Sequence, residues 1–258
     1  MRLKDKIAIV TGSASGLGRA MAKRFAQEGA SVVIADINKE GIDAVVAEVQ
    51  AAGGKASGYK VDVAKRAEVT QFMKAVHDQY GRIDILVNNA GVNCLKPFLA
   101  MNEEDWDFVL SVDLKGVFFC SQAIAEIMMK QKSGKILNIA SPQGNGGAPP
   151  GGDKTNYPYG SAKAGVIQMT KTLARELGGY GINVNCMAPS TVEMRMLSSN
   201  LTPQEAGAFA EMRKKGNVLG RLALPVEIAN AALFLVSDES SFVSGQLLRV
   251  DGGRTDYM

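Results

Sequence analysis

The chain has 258 residues, of which 46% are hydrophobic and 21% charged, with 28 glycines and a formal net charge of +3. This composition excludes a disordered or fibrous chain, and the length suits one large domain or two small ones. The small basic excess is scattered, which argues against a nucleic-acid partner, and three distant cysteines (Cys94, Cys120, Cys186) suit neither a disulfide framework nor a zinc site.

An odd number of free thiols fits a reducing compartment. The opening MRLKDKIAIV runs straight into a strand pattern, and no apolar run approaches membrane-spanning length. The expectation is a soluble, cytoplasmic protein with no metal, no membrane and no nucleic acid.

The elements alternate along the chain. A strand over 7–12 ends in glycine, a helical pattern covers 16–29, and a strand follows over 31–36. A helix over 39–52, a strand over 55–63, a helix over 65–79 and a strand over 82–91 come next. Residues 103–132 read as one long helix or two abutting ones, and 135–141 as a strand. A loop rich in Gly and Pro (142–157) leads to a helix over 158–178 and a strand over 181–189. A polar stretch over 190–218, a helix from Pro225 to Val236 and a strand over 246–253 complete the chain. Continuous apolar strands separated by helices predict an α/β fold, a doubly wound parallel sheet with helices on both faces. No linker interrupts the pattern, so a single domain spanning 1–258 is expected, with 190–218 as a substrate lid.

The first turn reads T-G-S-A-S-G-L-G over 11–18. Gly12, Gly16 and Gly18, with Ser15 and Leu17 between them, would let the backbone approach a pyrophosphate at a helix N-terminus. A glycine pattern alone is weak, but this one follows a strand, opens a helix and leads a βαβ series. Asp36, followed by Ile37, ends the second strand about 20 residues on, where a carboxylate accepts from ribose hydroxyls and repels a 2′-phosphate. No basic residue lies within 13–15 to receive that phosphate, so NAD is expected rather than NADP. Asp62 and Val63 are candidates for the adenine, with an N-cap role for Asp62 as the alternative.

Two tyrosines stand close together in TNYPYGSAK (155–163). Pro158 suits a first helical position and biases Tyr157 away from helix. Tyr159 and Lys163 then share one helix face at i,i+4, whereas Tyr157 has Ser161 at that spacing. An ammonium and a helix N-terminus both favour a phenolate, so Tyr159 is the candidate acid/base. The lone histidine, His77, falls on the polar face of a helix near its C-terminus, which weakens any Ser-His-Asp reading.

With T11-G-x-x-x-G-x-G18, Asp62, N88-N-A-G91, Ser141, Y159-x-x-x-K163 and D251-G-G253 in this order, the whole chain resembles the short-chain dehydrogenase/reductase family in its single-domain form. The resemblance implies a Rossmann-like, seven-stranded sheet of order 3-2-1-4-5-6-7. It implies that Tyr159 exchanges a proton with the substrate oxygen, that Ser141 hydrogen-bonds that oxygen, and that Lys163 binds the nicotinamide ribose and lowers the tyrosine pKa. Asn89, Ala90 and Gly91 resemble the segment shaping the cofactor cleft, and Pro189 and Val192 the segment holding the carboxamide. It also implies a homotetramer.

Three features depart from the family. Asp113 stands where an asparagine usually supports a water in the proton relay, and is kept as a catalytic candidate. M187-A-P-S-T-V-E-M194 has Ser190 for the usual glycine and Met194 where a threonine is common. Ser141 and Tyr159 are separated by an enlarged loop, which either edges the substrate pocket or is a tolerated insertion. Cys94, Gln143 and Met194 are pocket candidates, and Leu95, Met187 and Met196 could add an apolar wall or be ordinary core.

The expected activity is hydride transfer between NAD(H) and a small secondary alcohol or ketone. The alternatives are an NADPH-dependent 3-oxoacyl-carrier-protein reductase, for which Arg213, Lys214 and Lys215 could bind the acidic carrier, and a non-catalytic dinucleotide-binding scaffold or sensor. A cofactor-recycling epimerase or dehydratase would need an extra substrate domain, for which the chain is too short.

Overall fold

The computed structural model describes residues 1–146, 156–190 and 214–254, together with positions 192, 207 and 211. Seven strands form one sheet in the order β3-β2-β1-β4-β5-β6-β7, and every pairing within it is parallel. They are β1 (Ile7–Thr11), β2 (Ser31–Asp36), β3 (Lys55–Lys60), β4 (Ile85–Asn88), β5 (Gly134–Ile139), β6 (Ile182–Pro189) and β7 (Leu247–Val250).

Side chains alternate across the pleat, so each buried strand feeds two cores. Ala8 and Val10 of β1 join Met21 and Phe25 of α1 (Gly16–Gln27), Ile42 and Val45 of α2 (Lys39–Ala51), and Ile228 and Leu233 of α8 (Pro225–Val236). On the opposite face, Ile7 and Ile9 join Phe72 and Val76 of α3 (Arg66–Tyr80) and Ile124 and Met128 of α5 (Val117–Gln131). α7 (Tyr157–Leu177) extends that second layer over β5 and β6 through Val166 and Ile167.

Strand ends are shorter than the apolar runs suggest where side chains replace the ladder. The fourth strand, expected over 82–91, stops at Asn88 because the N–H groups of Asn89 and Ala90 donate to Thr11 Oγ1 at 3.0 and 3.1 Å. It starts late because Ile83 N–H donates to the Gln131 side chain. The third ends at Lys60, since Asp62 turns the chain through its own side chain, accepting from Ala64 N–H. Tyr157, expected outside the helix, is its first residue, with Pro158 in the first turn as the ring's fixed φ allows.

The stretch 103–132 is α4 (Glu103–Leu110) and α5 joined without a break by a π-helical turn, Ser111–Gly116. Asn102 and Asp105 form a capping box at its start. By length and composition Glu103–Gln131 could cross a membrane, which corrects the expectation that no run approaches that size. Its buried residues, among them Val117, Cys120, Ile124 and Met128, pack on the sheet and on α3 and α7, as in the core helix of a globular domain.

Candidate active site

The carboxyl ends of β1, β2, β4 and β5 carry the candidate residues. Gly12 turns the chain at φ +63°, and a Cβ there would lie 2.6 Å from Ala90 Cα, so only glycine lets the β1 and β4 exits touch. Asn89 fixes the turn by donating from Nδ2 to the carbonyls of Thr11 and Gly12, each at 2.9 Å. Thr11 Oγ1 takes two N–H groups from the β4 exit, a role that its place at the head of the T11-G-x-x-x-G-x-G18 pattern does not reveal.

Ser15 is the N-cap of α1, makes no capping hydrogen bond, and the first turn contains no acidic residue. The positive end of that helix is therefore left open to an anion. Leu17 packs on the first core. Asp36 closes the other side: its Oδ2 accepts from Ala14 N–H and its Oδ1 from Asn38 N–H, both at 3.0 Å. Ile37 beside it is 64% exposed. Arg19 is engaged by Glu48 and Lys39 by Asp43, so neither nearby cation is uncommitted. These groups fit a dinucleotide, with diphosphate at the α1 N-terminus and ribose hydroxyls at Asp36.

Asp62 does not cap α3, whose N-cap is Lys65; its N–H donates to Glu68 and its Oδ1 accepts from Ala64 N–H. The Val63 side chain is buried and lies against Gly116.

The central group is built from α7, β5 and the π turn. Lys163 Nζ lies 5.3 Å from the centre of the Tyr159 ring, donates to the Ile139 carbonyl at 3.0 Å, and pairs with Asp113 Oδ1 at 2.9 Å. The lysine side chain is 3% exposed and the aspartate 0%. Burial presses the Lys163 ammonium toward neutrality, but Asp113 and then Tyr159 outweigh it and hold its pKa above the ordinary lysine value. One of its three N–H donors is thereby hydrogen-bonded, to the Ile139 carbonyl, and the ammonium charge faces Asp113. The Asp113 side chain is fully buried, with Lys163 and Val92 N–H against its carboxylate.

Ser141 follows β5 two residues beyond Ile139, is buried, and its Oγ accepts from Gln143 N–H. Gln143 opens the short helix α6 (Gln143–Gly146), which packs on α7 near Ala164. Tyr157 turns away: it is 45% exposed and its ring sits 4.9 Å from that of Phe98. Cys94 N–H meets the side chain of Asn156 just before α7. His77 lies in the last turn of α3, as expected of a helix-end residue. Met187 is core. Pro189 pairs with Val250, and Val192, buried, bridges to Ala223. Met194, Thr191, Met196, Arg213, residues 147–155 and most of 190–218 lie outside the described residues. Lys214 is paired with Glu211, which takes one cation from the basic run at 213–215.

A family model described as enoyl-(acyl carrier protein) reductase matches residues 12–255. The 3-oxoacyl-[acyl-carrier-protein] reductase FabG of Thermotoga maritima is 45% identical over 98% of this chain and 99% of its own. The chain belongs to the short-chain dehydrogenase/reductase family. Another relative, the (2S)-[(R)-hydroxy(phenyl)methyl]succinyl-CoA dehydrogenase subunit BbsD of Thauera aromatica, is 44% identical over 99% of this chain and 98% of its own. A putative short-chain alcohol dehydrogenase from Sinorhizobium meliloti 1021 has the same fold, with a TM-score of 0.91, 30% identity, and coverage of 99% and 98% of the two chains. As a short-chain dehydrogenase/reductase this protein is an oxidoreductase acting on CH–OH groups, in a family that binds a nicotinamide dinucleotide.

Proposed function

We propose that this short-chain dehydrogenase/reductase uses NAD(H) to interconvert a secondary alcohol and its ketone, with Tyr159 as the acid/base. The observation that carries the reading is the buried Lys163 ammonium beside the Tyr159 ring. Bound dinucleotide supplies or accepts the hydride at its nicotinamide ring. In reduction, Tyr159 gives its phenolic proton to the substrate oxygen as hydride reaches the carbonyl carbon; in oxidation the phenolate takes it back. Ser141 holds that oxygen, and a remaining Lys163 donor is left for a ribose hydroxyl.

Asp36 supports NAD over NADP, since a 2′-phosphate would meet a carboxylate already fixed on two backbone N–H groups. Cys94 and Gln143 would border the substrate, with residues 190–218 as its lid. The second reading, an NADPH-linked 3-oxoacyl-carrier-protein reductase, is favoured by the 45% identity to such an enzyme and opposed by Asp36. A non-catalytic sensor is disfavoured by the complete Ser141, Tyr159 and Lys163 set. A cytoplasmic homotetramer belongs to the same proposal, supported by three free thiols and by exposed Trp106, Phe108 and Phe118 on α4 and α5.

Absorbance of the reduced nicotinamide, followed with NADH or NADPH against a ketone panel containing an acetoacetyl thioester, tests the reading. We expect turnover with NADH that falls about 100- to 10,000-fold in Tyr159→Phe. Tyr157→Phe should leave it unchanged. Preference for NADPH and the thioester would replace the first reading by the second, and turnover surviving in Tyr159→Phe would remove Tyr159 as the acid/base in either reading.

A further inference from the structure

The proposed chemistry makes no direct use of Asp113, yet its carboxylate is one of the most completely buried charges in the structure. Two groups meet it from different elements: Val92 N–H donates to Oδ2 at 2.7 Å, and Lys163 Nζ lies 2.9 Å from Oδ1 as an ion pair, off the direction of a hydrogen bond. Oδ1 comes so near Gly91 that a Cβ there would stand 2.8 Å from it. A carboxylate accepts from Val92 N–H and still presents negative charge to the ammonium, whereas an amide accepting from Val92 N–H would turn its own N–H groups toward Lys163.

Its electrostatic effect reaches Tyr159. An uncompensated ammonium 5.3 Å from the ring would favour the phenolate, but an ammonium with a carboxylate at 2.9 Å has no net charge, and its field falls off faster with distance. We propose that Asp113 is a positioning residue that offsets the charge of Lys163 and so sets the field in which Tyr159 exchanges its proton with the substrate oxygen. This rests on the assignment of Tyr159 as the acid/base.

Among the described residues, Asp113 and Tyr159 are the ionisable groups that act on Lys163. Of the other ionisable side chains around α7, Asp105 holds Lys96 and interacts with the Cys94 thiol, Tyr157 packs tilted against Phe98, and on β6 the buried Cys186 thiol interacts with Thr170. Lys115 of the π turn and Lys171, Arg175 and Glu176 of α7 are exposed.

The test is a pH titration by NMR of the protein carrying Cζ-labelled tyrosine, with the Tyr159 signal identified by its loss in Tyr159→Phe. Asp113→Asn is expected to lower the Tyr159 midpoint by about one pH unit. The double variant Asp113→Asn/Lys163→Gln, again without net charge, is expected to return it close to that of the unsubstituted protein. A purely structural role for Asp113 would produce neither the direction nor the restoration. An unmoved midpoint in Asp113→Asn overturns the proposal. Should that variant fail to fold, Lys163→Gln is compared with the double variant. The lone carboxylate must then make Tyr159 titrate higher in Lys163→Gln, and equal midpoints overturn the proposal. Turnover lost in Tyr159→Phe beside an unmoved Asp113→Asn titration removes this inference and leaves the acid/base assignment standing. Turnover retained in Tyr159→Phe removes both.

Discussion

Lys163→Met separates the two halves of the buried pair. In the native protein the ammonium and carboxylate are 3% and 0% exposed and 2.9 Å apart, so each charge has lost its water and depends on the other. Removing the lysine leaves Asp113 with a single donor, Val92 N–H, and no compensating charge. Breaking a buried pair from one side costs about 3–5 kcal/mol, because one charge stays behind without a partner. For a chain of this length that corresponds to a fall in Tm of about 10 °C. Thermal unfolding followed by circular dichroism reads it directly. Asp113→Asn/Lys163→Met, which leaves no charge behind, should recover more than half of the loss. The sign with pH also follows. Folded Lys163 holds its proton more tightly than a lysine in the unfolded chain, so the pair's contribution is complete below the ordinary lysine range. It is lost only as pH rises through the folded value. The gap between the protein and Lys163→Met should thus be level across neutral pH and narrow only in strong alkali. A single variant that loses less than about 2 °C, or a double variant no more stable than the single, would refute the argument that Lys163 compensates a buried Asp113 charge.

Thiol chemistry and the phosphate turn give two further tests. Burial pushes the Cys120 thiol up to about 12 and the Cys186 thiol to about 11, while Cys94, also raised by burial and by Asp105, is part exposed. An aromatic disulfide reagent at neutral pH should therefore titrate one thiol in the folded protein and three after unfolding, and two fast-reacting thiols in the folded state would contradict this packing. Gly12→Ala places a methyl 2.6 Å from Ala90 Cα at a positive φ and should weaken NADH binding at least about tenfold by calorimetry, since the β1 and β4 exits must part.

The sheet was legible because β1 and β2 are unbroken apolar runs with glycine or acid at their ends, and their parallel order follows from the helices between them. The ends were less legible. Whether Asn89 N–H joins a ladder or Thr11 Oγ1 depends on a residue 78 positions earlier, which no local pattern reveals. The pairing of Tyr159 with Lys163 could be read from a spacing of four, and the outward turn of Tyr157 from the absence of such a partner. Asp113 was visible as a departure, but not its partner: the aspartate and the lysine are 50 positions apart, and the π turn that aims the carboxylate has no sequence marker.

That π turn also sets the phase between two helices. A residue added to or deleted from an α-helix rotates everything beyond it by about 100°. Val109 before the turn and Val117, Cys120, Ile124 and Met128 after it all lie inward, so the slack taken up over Ser111–Gly116 keeps both halves facing the sheet while one side chain within it is spent on Lys163. A single-residue deletion here would have to choose between the core and the charge pair. Substitution at Asp113 can retune the centre; a change of length between Glu103 and Gln131 cannot do so without turning one half of the rod out of the protein.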